Sequence, residues 1–164
     1  MHIGVIPVGN VDAKILKYVC DALHEIFDVP AEVKDAQPIP KHAYVEKREQ
    51  YLASAFVSIA ARGECDKNIA ITDVDAYSPE LNFVFGQAEL GGKGCMISIH
   101  RLRSFNSGTL EERVKKEAVH EIGHTLGLSH CQDKKCVMSY SPSINGVDYK
   151  GRTLCPRCER LCSR

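Results

Sequence analysis

"KEAVHEIGHTLGLSHCQDKKCVMSYS", residues 116–141, brings three histidines, two glutamates and two cysteines into one short segment. His120 and His124 are four apart, so on a helix they share one face about one turn from each other. Two imidazoles so placed can reach one zinc ion at roughly 2.0–2.1 Å. Glu121 follows the first histidine; rotated away from a ligand position, it can still reach a water beside the metal and is the natural general base. Gly127 lets the chain leave the helix through a left-handed conformation. The chain then turns back and brings His130 as a third ligand. Three histidines with one open position describe a catalytic zinc site, not a closed structural one.

The same segment opens a second pattern. Cys131 and Cys136 are separated by four residues, and Cys155 and Cys158, in "CPRC", by two. Two such pairs with a loop between them suit a tetrahedral zinc site with four thiolate ligands. Cys162 is a spare thiol outside that set. Cys20, Cys65 and Cys95 are scattered and read as small buried apolar residues. The start, "MHIGVIPVGN", is broken by Pro7 and Gly9 and does not read as a signal peptide. No apolar run approaches the roughly 18 residues that span a bilayer. A cytoplasmic, reducing location is therefore expected, without membrane association, and it favours metal ligation over disulfides.

The rest of the chain reads as one α/β domain. Of 164 residues, 44% are hydrophobic, which suits a sizeable core. Lys+Arg and Asp+Glu are both 21, so the basic excess of a nucleic-acid binder is lacking. Residues 2–8 look like a first strand, 11–27 like an amphipathic helix, and 29–36 like a second strand. Residues 46–62 read as a second helix ended by Gly63, and 68–77 as a third strand. Two more strands, in 81–90 and 94–102, flank the turn "GGKG". Strands joined that tightly must be antiparallel, whereas the earlier βαβαβ order predicts right-handed parallel crossovers. The expectation is an α/β (α+β) fold: a mixed, twisted sheet with one antiparallel edge strand. The motif helix should begin near Thr109, with Glu112 completing a capping box, and bury Val114, Ala118, Ile122 and Leu126. The tail beyond Ser141 lacks periodicity and has few apolar residues, so zinc should hold it.

"HEIGHTLGLSH" resembles the long zinc-binding motif of the metzincin metallopeptidases. The following "HCQDKKCVM" and the later "CPRC" resemble the archaemetzincin family in particular. That resemblance implies that His120, His124 and His130 bind the catalytic zinc and that Glu121 is the general base. It makes Met138 the residue of the Met-turn, an apolar floor beneath the zinc ligands. Tyr140, two residues on, stands where some metzincins place an extra ligand or a donor to the reaction intermediate; a packing role is the alternative. It also implies a metzincin-like sheet and active-site helix in an amino-terminal subdomain, residues 1–127. A short zinc-stapled carboxy-terminal subdomain, 128–164, follows. In similar families an antiparallel edge strand binds extended substrate by strand addition, and "NFVFGQAEL" is the candidate for it.

The expected activity is hydrolysis of peptide bonds by a monomeric zinc metallopeptidase holding two Zn2+ per chain, one catalytic and one structural. Its partners would be peptide or protein substrates, with short peptides trimmed near an end as by an aminopeptidase among them, and not nucleic acid. The rival reading is a non-catalytic or latent two-zinc protein whose groove binds peptide segments. Other residues read as incidental. Glu117 is expected to be solvated rather than to orient a ligand. Asp73 and Asp75 are expected to face water or a turn, and His100 to lie at the surface. Tyr149, in the tail, could line a specificity pocket.

Overall fold

The computed structural model describes residues 1–163. Its main sheet has five strands: β1 (Ile3–Val8), β2 (Ala31–Val33), β5 (Lys67–Thr72), β7 (Gly86–Ala88) and β8 (Gly94–Ser98). A small second sheet holds β3 (Tyr44–Val45), β4 (Gln50–Leu52) and β6 (Ala76–Tyr77). The helices are α1 (Ala13–Phe27), α2 (Ala53–Ala61), α3 (Ser107–Thr125), α4 (Ile144–Tyr149) and α5 (Pro156–Cys162).

The main sheet runs β2-β1-β5-β8-β7. The first four strands are mutually parallel and β7 is antiparallel to β8, at the edge. The expected mixed sheet with one antiparallel edge strand is therefore present. Every residue of β1 is buried, because both faces of this parallel region are covered. The faces separate by strand alternation. Ile3, Val5, Ile69, Ile71, Cys95 and Ile97 meet α1 and α3. Ile6, Val8, Ala70 and Met96 meet α2 and its fully buried Phe56. A third apolar cluster joins Val119 of α3 to Leu128, Val137, Met138, Leu154 and the cysteines of the tail.

Several sequence expectations need correction. Residues 46–52 are not the first half of a helix: they form a 3₁₀ turn and β4. Glu49 has φ +52°, and buried Gln50 donates to Asp75 Oδ2 (3.0 Å) and to the Asn82 carbonyl (2.8 Å). Those long-range bonds outweigh local helix propensity. The strand expected over 68–77 divides, β5 in the main sheet and β6 in the small one. Of 81–90, only 86–88 is strand, because the segment before it is shared between the sheets. The Val84 N–H donates to Ala76 O (2.9 Å), while Phe85 O accepts from the Ser98 N–H (2.8 Å). Helix α3 starts at Ser107, its N-cap Asn106 accepting from the Thr109 N–H at 3.1 Å; Glu112 pairs with Arg152 instead of completing a box. The tail is not featureless, since α4 and α5 form within it. Cys20 is only half-buried, whereas Cys65 and Cys95 are buried as expected.

Among the described residues, no helix is long and apolar enough to cross a membrane. Replacing Phe56 by Ala should lower stability by about 3–5 kcal/mol while leaving the histidine face of the sheet untouched. Urea unfolding monitored by circular dichroism measures the change.

Candidate metal centre and substrate cleft

Helix α3 delivers His120, Glu121 and His124, and its end is fixed from three sides. Gly127 has φ +91°, the left-handed conformation expected of it. The Gly91 N–H donates to the His124 carbonyl at 2.9 Å, and Lys67 Nζ donates to the Thr125 carbonyl at 2.9 Å. These donors satisfy carbonyls that the helix end leaves open. The returning chain brings His130 to the other two rings, its centroid 5.4 Å from that of His120 and 4.8 Å from that of His124.

The tautomers follow from the hydrogen bonds. His120 Nδ1 donates to the Val137 carbonyl (2.8 Å) and His124 Nδ1 to the Leu128 carbonyl (2.6 Å). Each Nε2 is then a bare lone pair, and the two lie 3.1 Å apart. Two acceptors cannot bond to each other, so this geometry calls for a cation between them. A tetrahedral ion with nitrogen bonds of about 2.0–2.1 Å would separate its ligands by roughly 3.3 Å. Burial above all, then the Lys150 ammonium, pushes the His120 imidazole well below its ordinary range. Burial likewise lowers His124 and His130. Neutral imidazoles are what a metal ion requires.

Glu121 is buried, and burial followed by the Glu117 charge pushes its carboxyl well above the usual range. It faces the edge strand so closely that a Cβ on Gly86 would stand 2.5 Å from Glu121 Oε1. Met138 is fully buried, and a Cβ on Gly123 would stand 2.4 Å from its sulfur. The methionine thus packs directly under the helix turn between the two histidines. The Cys131 N–H donates to the Met138 carbonyl at 2.9 Å, joining that turn to the residue after His130.

The four cysteines Cys131, Cys136, Cys155 and Cys158 converge, their sulfurs within 4.8 Å of one another. Cys131 and Cys155 sulfurs are 3.8 Å apart, far beyond a disulfide bond. A tetrahedral ion with bonds of about 2.3 Å to sulfur gives a separation of roughly 3.8 Å. The Cys155 N–H donates to Cys136 Sγ at 3.4 Å. Cys155 stands at the N-terminus of α5, where the Cys158 backbone N–H, chief among the groups around it, brings its thiol down to about 7. Cys162 lies outside the cluster.

Glu117 and Lys150 form a buried pair beside the histidines. Glu117 is not solvated: it is 4% exposed and pairs with Lys150 Nζ at 2.9 Å. The Lys150 side chain is fully buried. Its ammonium lies 3.5 Å from the Ser139 carbonyl and 3.5 Å from His120 Nδ1; the latter is a contact between two donors and not a hydrogen bond. Lys116 and Arg113, earlier on α3, hold α4 through the Val147 carbonyl (3.0 Å) and the Asp148 carboxylate (2.8 Å). The sequence carried half the signal: Glu117 is one turn before Glu121 on the same face, but a lysine in a polar loop announces nothing. Asp75 is also engaged, taking a two-pronged bond from Arg101.

Glu117, Glu121, the three histidines, residues 84–88, Tyr140 and Lys150 line a cleft of about 790 Å³. Tyr140 is 46% exposed, its ring 5.1 Å from that of His130. Tyr149 does not line the cleft; it stacks under Lys135 on the outer surface. His100 is exposed.

Comparison with known proteins points one way. Residues 40–164 match the model of Peptidase family M54. The archaemetzincin of Natronomonas pharaonis is 44% identical over 170 aligned residues, covering 98% of both chains. That of Methanocaldococcus jannaschii is 42% identical, covering 96% of this chain and 90% of its own. The crystal structure of the Methanopyrus kandleri archaemetzincin superposes with a TM-score of 0.92 at 37% identity, covering 100% of this chain and 94% of that one. The Archaeoglobus fulgidus archaemetzincin, complexed with malonate, gives 0.91 at 35% identity, covering 98% and 99%.

Truncating Lys150 to Met should cost about 3–5 kcal/mol by stranding Glu117. The double variant Glu117→Gln/Lys150→Met should be less destabilised than Lys150→Met alone. Chemical denaturation of both variants measures the difference.

Proposed function

The chain belongs to the archaemetzincins, peptidase family M54, a family of zinc metallopeptidases, and from that premise we propose the residues that carry its activity. His120, His124 and His130 hold the catalytic zinc, and Glu121 is the general base. Cys131, Cys136, Cys155 and Cys158 hold a second, structural zinc, giving two per chain. The observation that carries the reading is the pair of facing Nε2 lone pairs 3.1 Å apart, each fixed by a carbonyl behind its ring. Zinc bound there supplies a Lewis acid for the scissile carbonyl and lowers the pKa of an attacking water toward about 7.

The protein's own groups do the rest. The outer edge of β7 offers backbone donors and acceptors to an extended peptide. Gly86 lets that peptide lie close to Glu121. Glu121 Oε1 takes a proton from the attacking water and later returns it to the leaving amine. A buried carboxyl raised above its ordinary range is suited to both tasks. Tyr140, exposed beside His130, is placed to donate a hydrogen bond to the substrate. Substrates would be short or extended peptides, cleaved by a cytoplasmic monomer. Residues 1–127 would act as the subdomain with sheet and helix, and 128–164 as the stapled floor. His130 and Cys131 are neighbours serving different ions, so the two sites should be coupled.

Glu121→Ala should keep two zinc ions per chain and lose chelator-sensitive cleavage of a diverse peptide mixture by at least about 10²-fold. Two zinc ions in the wild type with no cleavage of any peptide would favour the peptide-binding alternative. Cys155→Ser should lower both structural zinc content and occupancy of the histidine site, read by metal analysis; full catalytic-site occupancy and activity would refute the coupling.

A further inference from the structure

We propose that His2, Glu32 and Cys65 form a third metal site, for a divalent transition ion of zinc's class, on the sheet face opposite the active-site helix. The three side chains offer a nitrogen, an oxygen and a sulfur within 4.8 Å of one another. His2 Nε2 is 3.8 Å from Glu32 Oε1, and Cys65 Sγ is 4.0 Å from the same oxygen. Bonds to a tetrahedral zinc would bring these separations to roughly 3.4 and 3.6 Å. A small rotation of two partly exposed side chains closes that gap.

The fold brings the donors together by register. β1 pairs with β2 so that Gly4 lies opposite Glu32, and His2, two residues before Gly4, faces the same side. His2 is held in place: its N–H donates to Asp66 Oδ2 at 2.7 Å, and its carbonyl accepts from the Lys67 N–H at 3.3 Å. Cys65 immediately precedes those partners, in the turn after α2. Cys65 and Asn68 both close on Gly4: a Cβ there would stand 3.3 Å from Cys65 Sγ and 2.5 Å from Asn68 Oδ1.

Asn68 is the independent observation. It is 0% exposed and its Nδ2 donates to the Cys65 carbonyl at 3.0 Å. Its Oδ1, packed against the same Gly4 that Cys65 Sγ approaches, has no hydrogen-bond donor. A buried acceptor without a donor is destabilising; a cation, or water held by one, would satisfy it. Thiolate, imidazole and carboxylate together select a borderline ion over magnesium or calcium, which take oxygen ligands. Three ligands leave a coordination position open.

A rival occupant is visible. Lys34 Nζ lies on the same Glu32 oxygen and holds that carboxyl below its ordinary range. It is the cation a metal ion must displace, which gives the test a sign in each direction. Full-length protein, zinc-loaded at its other sites, is dialysed against graded Zn2+ and then titrated with Co2+ as an optical probe. The wild type should take up one more ion per chain than His2→Ala or Cys65→Ser, with affinity weakened by at least about 100-fold in either variant. Cobalt should give a thiolate absorption that Cys65→Ser lacks. Lys34→Met should bind about two- to fivefold tighter, the competitor being an exposed ion pair. Equal uptake by the wild type and His2→Ala, a change at a partly exposed residue, overturns the proposal even if the cysteine variant fails to fold.

Discussion

Two imidazole nitrogens that both present lone pairs face each other across 3.1 Å, and most of the molecule serves to keep them there. Left alone the arrangement is repulsive. It persists because each ring is anchored from behind, His120 by the Val137 carbonyl and His124 by the Leu128 carbonyl. Those carbonyls lie in the segment after the helix, so the tail must be in place before the site exists. The sheet supplies the other half of the constraint. Its parallel strands fix α3 against β5 and β8, and Lys67 and Gly91 bind the helix end. A metal ion bound there would relieve the remaining repulsion, and its binding energy would then be linked to folding energy.

The tail achieves its rigidity with little apolar material. Val147, Leu154, Val137 and Met138 are its main buried side chains, too few for a separate core. Polar devices complete it: the four-cysteine cluster, the Arg113–Asp148 pair, and the buried Glu117–Lys150 pair. A buried ion pair is a weak source of net stability, but it discriminates. The Lys150 ammonium can sit at zero exposure only if Glu117 meets it, so the loop before Cys155 has one register on α3. That register sets the Ser139 carbonyl and the turn at Met138, and through Cys131 the position of His130.

The parts legible in the sequence are those where one short-range rule decides the outcome. The spacing of His120 and His124, the left-handed Gly127, the paired cysteines and the short apolar runs of β1, β5 and β8 are of that kind. The parts that misled are those where distant polar groups decide. Residues 46–52 carry a helical composition, yet Gln50 finds Asp75 and Asn82. Thr109 and Glu112 spell a capping box, yet Asn106 caps first and Arg152 takes the glutamate. Tail helices α4 and α5 are one to two turns long, below the length at which periodicity registers. Residue type alone places Glu117 in solvent, since glutamate is seldom fully buried; its partner Lys150 is 33 residues away and lies in no motif.

The edge strand shows why these two groups of features meet at one place. A short strand at a sheet edge leaves its outer backbone groups unpaired, usually a liability. Here the strand that bears them, β7, contains Gly86, and Glu121 approaches it closely enough that any side chain at that position would collide with the carboxylate. The unpaired edge and the buried acid therefore share one space. An extended backbone that satisfies the edge must pass beside Glu121 and the histidines, while anything that does not extend leaves the edge open. In the proposed reading, selection of an extended peptide and delivery of its carbonyl to the metal centre would thus be one geometric event.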